Sequence, residues 1–423
     1  MDASTHTDNP ADGRVRSADT EPGALLERVR GLGHEPTRAL DFLFGAMFLL
    51  PWVPPLAPEF LSVSVLGGVG LVALATLRRP PWGLSHTPWL VPGIVVVLLY
   101  VFSLSALTPD TSLYGWPKRA LRLTLFAIVL VALVGGRLHL PSVVRGAGVA
   151  ILGNAVLFYA GAAPRPYGDY LSGFLMDKNV AGLAIAVVGL LLAGLAPTTT
   201  RRPLILLVAT ALLWSTGSRT SLAAFGCGIA WLVLRPRLGT LGRLLLAAGL
   251  AYAIRLVEVD FARVGTFADR QGSDLLRARI DAASIVKLDA TPWQGSGLGD
   301  ASVVLDGRNF FFHNSYWSAL VEGGWLLLAA YLVVIVWFGI GPLRKGPPPV
   351  PWAAAAEAAN VALLVCALRL GEVFGTAAGT LALAAGLLGH VAYRASVGEQ
   401  DQRERDVAVP ETWSGEIPPA RPR

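Results

Sequence analysis

The chain has 423 residues, 53% of them hydrophobic and only 15% charged, with a formal net charge of +6. A soluble domain carries about 25% charged residues, so this composition excludes an ordinary soluble globular protein and puts most of the length in a bilayer. The basic excess sits in arginines that flank apolar runs, which points to anionic headgroups and away from nucleic acid.

Residues 1–38 are rich in Pro, Asp, Arg and Ser and poor in apolar side chains, which predicts a disordered cytoplasmic tail. They lack the short apolar core and small-residue cleavage site of a removable signal, so the first apolar helix is its own insertion signal. From 39 to 256 run nine apolar stretches of a length suited to a hydrocarbon core about 30 Å thick. They fall at 39–56, 61–77, 88–107, 120–137, 143–162, 179–196, 203–216, 220–234 and 239–256.

Residues 257–313 then form one long connection outside the membrane, and long connections of this kind carry function. Within it Leu275, Leu276, Ile280, Ala283 and Val286 recur at helical spacing, which predicts a short amphipathic helix over Asp274–Leu288 with Ser273 as its N-cap. The stretch PWQGSGLG, Pro292–Gly299, follows; its alternating glycines let backbone turn sharply and approach a neighbour closely. Three more apolar segments, 315–340, 351–371 and 374–394, fill residues 314–394. RKGPPPVP, 344–351, stiffens the link between the first two, and 395–423 reads as a second disordered cytoplasmic tail. The fold class expected is all-α: a polytopic membrane protein of about twelve helices with one long extracytoplasmic loop.

Orientation follows from the charges. With both termini cytoplasmic, the short inner connections hold eleven basic residues, Arg78, Arg79, Arg137, Arg145, Arg201, Arg202, Arg235, Arg237, Arg243, Arg344 and Lys345. The short outer ones hold five, Lys118, Arg119, Arg165, Lys178 and Arg219. The two cysteines, Cys227 and Cys366, fall inside apolar segments and are read as small core residues.

Polar residues gather at the outer helix ends. Lys118, Arg119 and Arg122 open the fourth segment, Asp177, Lys178 and Asn179 the sixth, and Ser218, Arg219 and Thr220 the eighth. Arg255 closes the ninth, Arg263, Arg270, Arg277 and Arg279 lie in the long loop, and His313 opens the tenth. Arginine's planar fork matches phosphate oxygens bidentately, and outward helix N-termini add positive potential, so the set predicts a cationic pocket for a pyrophosphate. Arg219 stands in a very short turn between apolar helices, where an unpartnered charge is costly. At the tenth helix Asn314 and Ser315 can cap the N-terminus, and nearby cations would keep the His313 imidazole neutral and able to accept a proton. Glu322, nine residues on, is read as the structural partner of a buried arginine or tyrosine. His6, His34, His86, His139 and His390 fall on the inner side or in a tail, and Glu59 alone in the first outer loop is too little for a divalent metal.

Four pieces in this order, FLMDKN (174–179), SRTSLAAF (218–225), an arginine 15 residues before PWQGSGLG, and HNSYWSALVEGG (313–324), resemble the O-antigen ligase and O-antigen polymerase superfamily of bacterial membrane proteins. The resemblance spans residues 170–330. It implies a GT-C-like glycosyltransferase that moves a glycan from undecaprenyl pyrophosphate to an acceptor hydroxyl on a lipid, polymer or protein, at the outer face of the cytoplasmic membrane, without metal or cofactor. It assigns catalysis to His313 and pyrophosphate binding to Arg219 and to Arg277 or its neighbour Arg279, with Arg119, Arg122, Asp177, Asn179, Asn314, Tyr316 and Glu322 as secondary site residues. Two positions depart from the pattern: Asp281 stands where a tryptophan is expected, and Lys178 replaces the proline of an Asp-Pro-Asn. Ligase and polymerase are not separated, and a flippase lined by the same charges is the alternative.

Overall fold

A computed structural model describes residues 22–58, 60–108, 115–198, 200–260 and 271–408, with backbone alone for 22, 253–260, 271–274, 402, 403 and 405–408. The protein is mostly helical. In chain order the helices are α1 (Pro22–Gly31), α2 (Ala39–Phe48), α3 (Val63–Leu77), α4 (Leu90–Leu107), α5 (Trp116–Val134), α6 (Leu140–Tyr159), α7 (Lys178–Gly194), α8 (Arg201–Thr216), α9 (Arg219–Leu234), α10 (Thr240–Asp260) and α11 (Gln271–Ala290). A hairpin of β1 (Ser302–Leu305) and β2 (Arg308–Phe311) leads to α12 (Ser315–Leu332), which continues as a π-helix through Ile340. Then come α13 (Pro351–Ala367) and α14 (Ala377–Ala408).

Each apolar stretch in the sequence holds one helix. Four of them, spanning Leu90–Leu107, Leu140–Tyr159, Ser315–Ile340 and Ala377–Asp401, are long and apolar enough to cross a membrane. Shorter apolar helices accompany them, α2, α3, α7 and α13 among them. The centre of the bundle is α7 and α13, whose alanines and glycines are buried almost all round. Small residues let backbones approach: a Cβ on Gly194 would stand 2.4 Å from that of Ala355. At the rim α4 leaves Val95, Val96 and Leu99 exposed, an apolar face with no protein over it.

Several expectations need correcting. Residues 22–31 of the supposedly disordered N-terminal tail form α1, because Leu25, Leu26 and Val29 share one face and bury it against the bundle. The last helix runs on to Ala408 in the segment expected to be disordered, since nothing in its sequence breaks it. The all-α expectation misses the hairpin, where Asp306 and Gly307 both take positive φ and turn the chain. The first apolar stretch is helical only to Phe48, because Pro51, Pro54 and Pro55 end it. Arg344, in the stiff link, is buried. Ser273 as a cap, Arg255, Arg263, Arg270 and Glu59 lie outside the described side chains.

The loop Pro292–Gly299 makes its close approach to α12. That helix is broken at Gly323 (φ −143°) and Gly324 (φ 60°). In an unbroken helix the Trp325 N–H would go to the carbonyl of Val321. Here it goes to the Trp293 carbonyl at 3.2 Å, while Ser296 and Gly297 donate to the freed carbonyls of Val321 and Glu322 at 2.7 and 3.1 Å. Backbone polar groups opened by the break are thus satisfied by the loop, as any non-helical backbone away from water requires. Only glycine fits the contact, because a Cβ on Gly324 would stand 2.2 Å from the Trp293 oxygen and one on Gly295 would stand 2.6 Å from the Gly324 nitrogen. Tyr100 and Ser105 of α4 hold the other side, with the Tyr100 hydroxyl donating to Gln294 O and Leu298 N–H donating to Ser105 Oγ.

Candidate functional site

Four helix ends and α11 build one end of the bundle around His313. Ile280 of α11, Ala301 and Val303 of the hairpin, Phe312, and Val321 of α12 pack into a small apolar cluster. This cluster fixes the strand that delivers His313. Asn314 caps α12, its side-chain oxygen accepting from the N–H groups of Tyr316 and Trp317 at 2.9 and 3.2 Å. Ser315 and Ser318 tie the same end to the turn after α13 by donating to the carbonyls of Leu370 and Gly371. The Tyr316 hydroxyl donates to Leu364 O at 2.7 Å, which makes it a packing residue.

At the neighbouring end of α7, Asp177 is the N-cap, its carboxylate accepting from the N–H groups of Asn179 and Val180 and from the Tyr167 hydroxyl. Burial, with that hydrogen bond, pushes the Tyr167 phenol up to about 12. Lys178 lies 4.6 Å from the ring centroid of Tyr170 and 5.6 Å from that of Tyr167. Asn179 Oδ1 accepts from the Ser218 hydroxyl at 3.2 Å, and Ser218 and Ser221 hydroxyls meet at 2.9 Å. The N-termini of α7 and α9 are therefore laced together, with Arg219 as the first residue of α9 at their junction and half-buried.

His313 is half-buried, and its Nδ1 is enclosed with no hydrogen-bond partner among the described residues, a position that calls for an explanation. Desolvation holds its pKa below the usual 6.5, Arg277 lowers it further, and Asp281 and Asp177 act against them. The imidazole is thus neutral at physiological pH. Arg277, half-buried, also acts on Tyr167, so the α11 arginine, the α12 histidine and the α7 cap share one electrostatic neighbourhood.

Not every expected member joins it. Arg279 points the other way, exposed, and pairs with Asp306 on the hairpin at 3.0 Å. Two residues along a helix are about 200° apart in direction, so Arg277 and Arg279 could not both face His313. Arg119 and Arg122 are not free cations of the pocket either. Arg119 donates to Glu322 at 2.6 Å and meets Glu372 at 3.2 Å, while Arg122 donates to Glu372. Glu322 is 4% exposed and also accepts from Gly299 N–H, so it clamps α5, α12 and the glycine loop together.

Sequence reasoning missed Tyr167, Arg369 and Glu372, and gave Asp281 no role. Asp281 accepts from Arg369 at 3.2 Å, joining α11 to the turn after α13. Charges at the edge of the segment 351–371 were the available signal, because a polar cluster interrupting an apolar run asks for partners. Among the described residues no three His, Cys, Asp or Glu side chains come together as a metal-binding group.

Gly371 touches this site directly: a Cβ there would stand 1.8 Å from the Phe312 carbonyl oxygen, one residue before His313. Gly371→Ala is expected to push the Phe312–His313 strand aside and to cost about 1–3 kcal/mol of stability, the usual cost of forcing an extra methyl into filled space. Fluorescence-detected gel filtration after heating checks this.

No family model matches the chain, and no curated protein matches it. The chemistry of these residues is therefore what carries a functional reading.

Proposed function

We propose that the protein is a membrane glycosyltransferase of the GT-C type, with about twelve helices crossing a bacterial cytoplasmic membrane and both termini inside. It moves a glycan from undecaprenyl pyrophosphate to an acceptor hydroxyl at the outer face. The carrying observation is that His313, half-buried with its Nδ1 enclosed, lies in the field of Arg277 and of Asp177, the cap of the α7 end that is hydrogen-bonded to the start of α9. His313 takes the acceptor's proton as the hydroxyl attacks the anomeric carbon, with inversion. Arg219 and Arg277 receive the departing pyrophosphate, whose developing charge is met by fixed cations and helix ends. A pyrophosphate stabilised in this way leaves without a general acid. Asp177 and Asn179 order the α7 end, and the Glu322 clamp holds the glycine loop against α12.

One observation favours the transporter alternative: α12 is broken and carries a charge pair beside the break, features that mark transport sites. Against it, the opened carbonyls are filled by the loop and the charges neutralise one another, which leaves no ligand to complete the break. Purified protein in nanodiscs, given a polyprenyl-pyrophosphate glycan and an acceptor, is expected to form a glycosidic bond, with turnover unchanged by EDTA. A transporter forms none, and a loss on chelation that magnesium restores would refute the metal-free scheme.

A further inference from the structure

Helix α11 is inverted relative to a surface helix of a soluble protein. At about 100° per residue, Leu275, Ala282, Ile285 and Val286 fall within one arc of roughly 100°. All four are exposed, Leu275 by 67% and Val286 by 70%. Arg277, Ile280, Ser284 and Lys287 fall on the opposite side, where Ile280 is buried with Phe312 and Val321 and the Lys287 ammonium donates to Asp300 and to Ser302 O at 2.7 and 3.1 Å. On the outer side the charges are few: Arg279 is matched by Asp306, and Asp289 stands in the last turn. A helix bathed in water shows its charges and hides its apolar stripe, and α11 does the reverse. The hairpin repeats the arrangement. Val303 and Phe310, opposite each other in the ladder, face the Ile280 cluster, while Val304 and Phe311 are 66% and 52% exposed.

The place of α11 in the molecule says what covers these side chains. It packs chiefly on β1 and α12, meeting α12 near Val321. From Ser315 to Ile340 that helix is long and apolar enough to cross a membrane, and it leaves Leu326 and Val333 exposed. Trp293, which follows α11 closely, and Trp325 lie between the two apolar surfaces, 73% and 63% exposed, and the Trp325 N–H donates to the Trp293 carbonyl. Tryptophans collect where hydrocarbon meets water. The apolar side of α11 therefore continues, across a tryptophan pair at interface level, into the lipid-facing side of α12.

We infer that α11 and the outer face of its hairpin are seated in the leaflet at this end of the bundle, with acyl chains covering Leu275, Ile285, Val286 and Phe311. Arg308, exposed at the hairpin turn, meets headgroup phosphate. Helix α11 is then an interfacial element and not part of a loop in open water. This holds whatever reaction His313 serves, and its bearing on that site is positional: lipid supports the helix whose other side presents Arg277 to His313.

The full chain tests this with bimane attached at Val286→Cys or, as an independent second position, at Leu275→Cys; the native Cys227 and Cys366 are buried. Asp169→Cys, exposed in the loop before α7, is the aqueous reference. In phosphatidylcholine nanodiscs, lipid carrying a nitroxide near the top of its acyl chain is expected to quench the label at 286 and 275 several-fold more than at 169, and iodide to do the opposite. Excess nitroxide quenching at either position supports the inference. Quenching at both that is no greater than at the reference overturns it. In that case full quenching by iodide puts the face in water, and protection from iodide means that protein covers it, with mass photometry showing whether the cover is a second copy of this chain.

Discussion

His313→Ala is expected to lower kcat for glycan transfer by about 10²- to 10⁴-fold, the range that a positioned general base contributes. The variant should insert and elute as the wild type, because the described fold contacts of this strand are made by its neighbours Phe312, Asn314 and Ser315 and not by the imidazole. The pH profile gives a finer check. Burial, then Arg277, depresses the His313 pKa below 6.5, and under the proposed mechanism the neutral ring is the working form. Activity should therefore be full at neutral pH and fall as pH drops through the depressed value. Arg277→Gln removes the second cause and moves this acid limb to higher pH, in addition to weakening donor binding. Normal transfer by well-folded His313→Ala, or an acid limb unmoved in Arg277→Gln, would remove the histidine from its assigned role.

The second large effect concerns the clamp. Glu322 is nearly fully buried and accepts from Arg119 and from the glycine loop, so Glu322→Ala leaves a guanidinium with a weaker hold on Glu372 alone. Removing one partner of a buried pair costs about 3–5 kcal/mol, most of it the penalty of the stranded charge. Fluorescence-detected gel filtration after heating should show an unfolding midpoint well below that of the wild type and a poor folded yield. Replacing both partners, Arg119→Met with Glu322→Met, should recover much of the loss, because no charge is then stranded. A single variant as stable as the wild type would mean that the pair is solvated and holds nothing.

The helices were legible in the sequence because lipid imposes a simple rule on apolar runs, and each run from 39 to 394 holds one. The Asn314 cap was legible for a similar local reason: its side chain serves residues two and three positions on. What could not be read was pairing at a distance. Arg119 and Glu322 are 203 positions apart, and Arg122 and Glu372 are 250 apart, so a count of outer-face arginines overstated the free positive charge. The choice between Arg277 and Arg279 turns on helix rotation, which a short stretch of periodicity does not fix. The buried face of α1 was hidden by the charged composition around it, since three apolar side chains suffice to hold ten residues.

The distance between Arg119 and Glu322 also sets a schedule for biogenesis. At about 5–20 residues per second a ribosome needs roughly 10–40 s to make the 203 residues between them, and for that time the fifth helix presents a cation with no counterion. The hydrogen-bond exchange between the glycine loop and the tenth apolar segment is equally late, because both halves are made only after most of the bundle exists. A nascent chain stopped before Glu322 thus leaves Arg119 without either of the carboxylates that neutralise it in the finished fold.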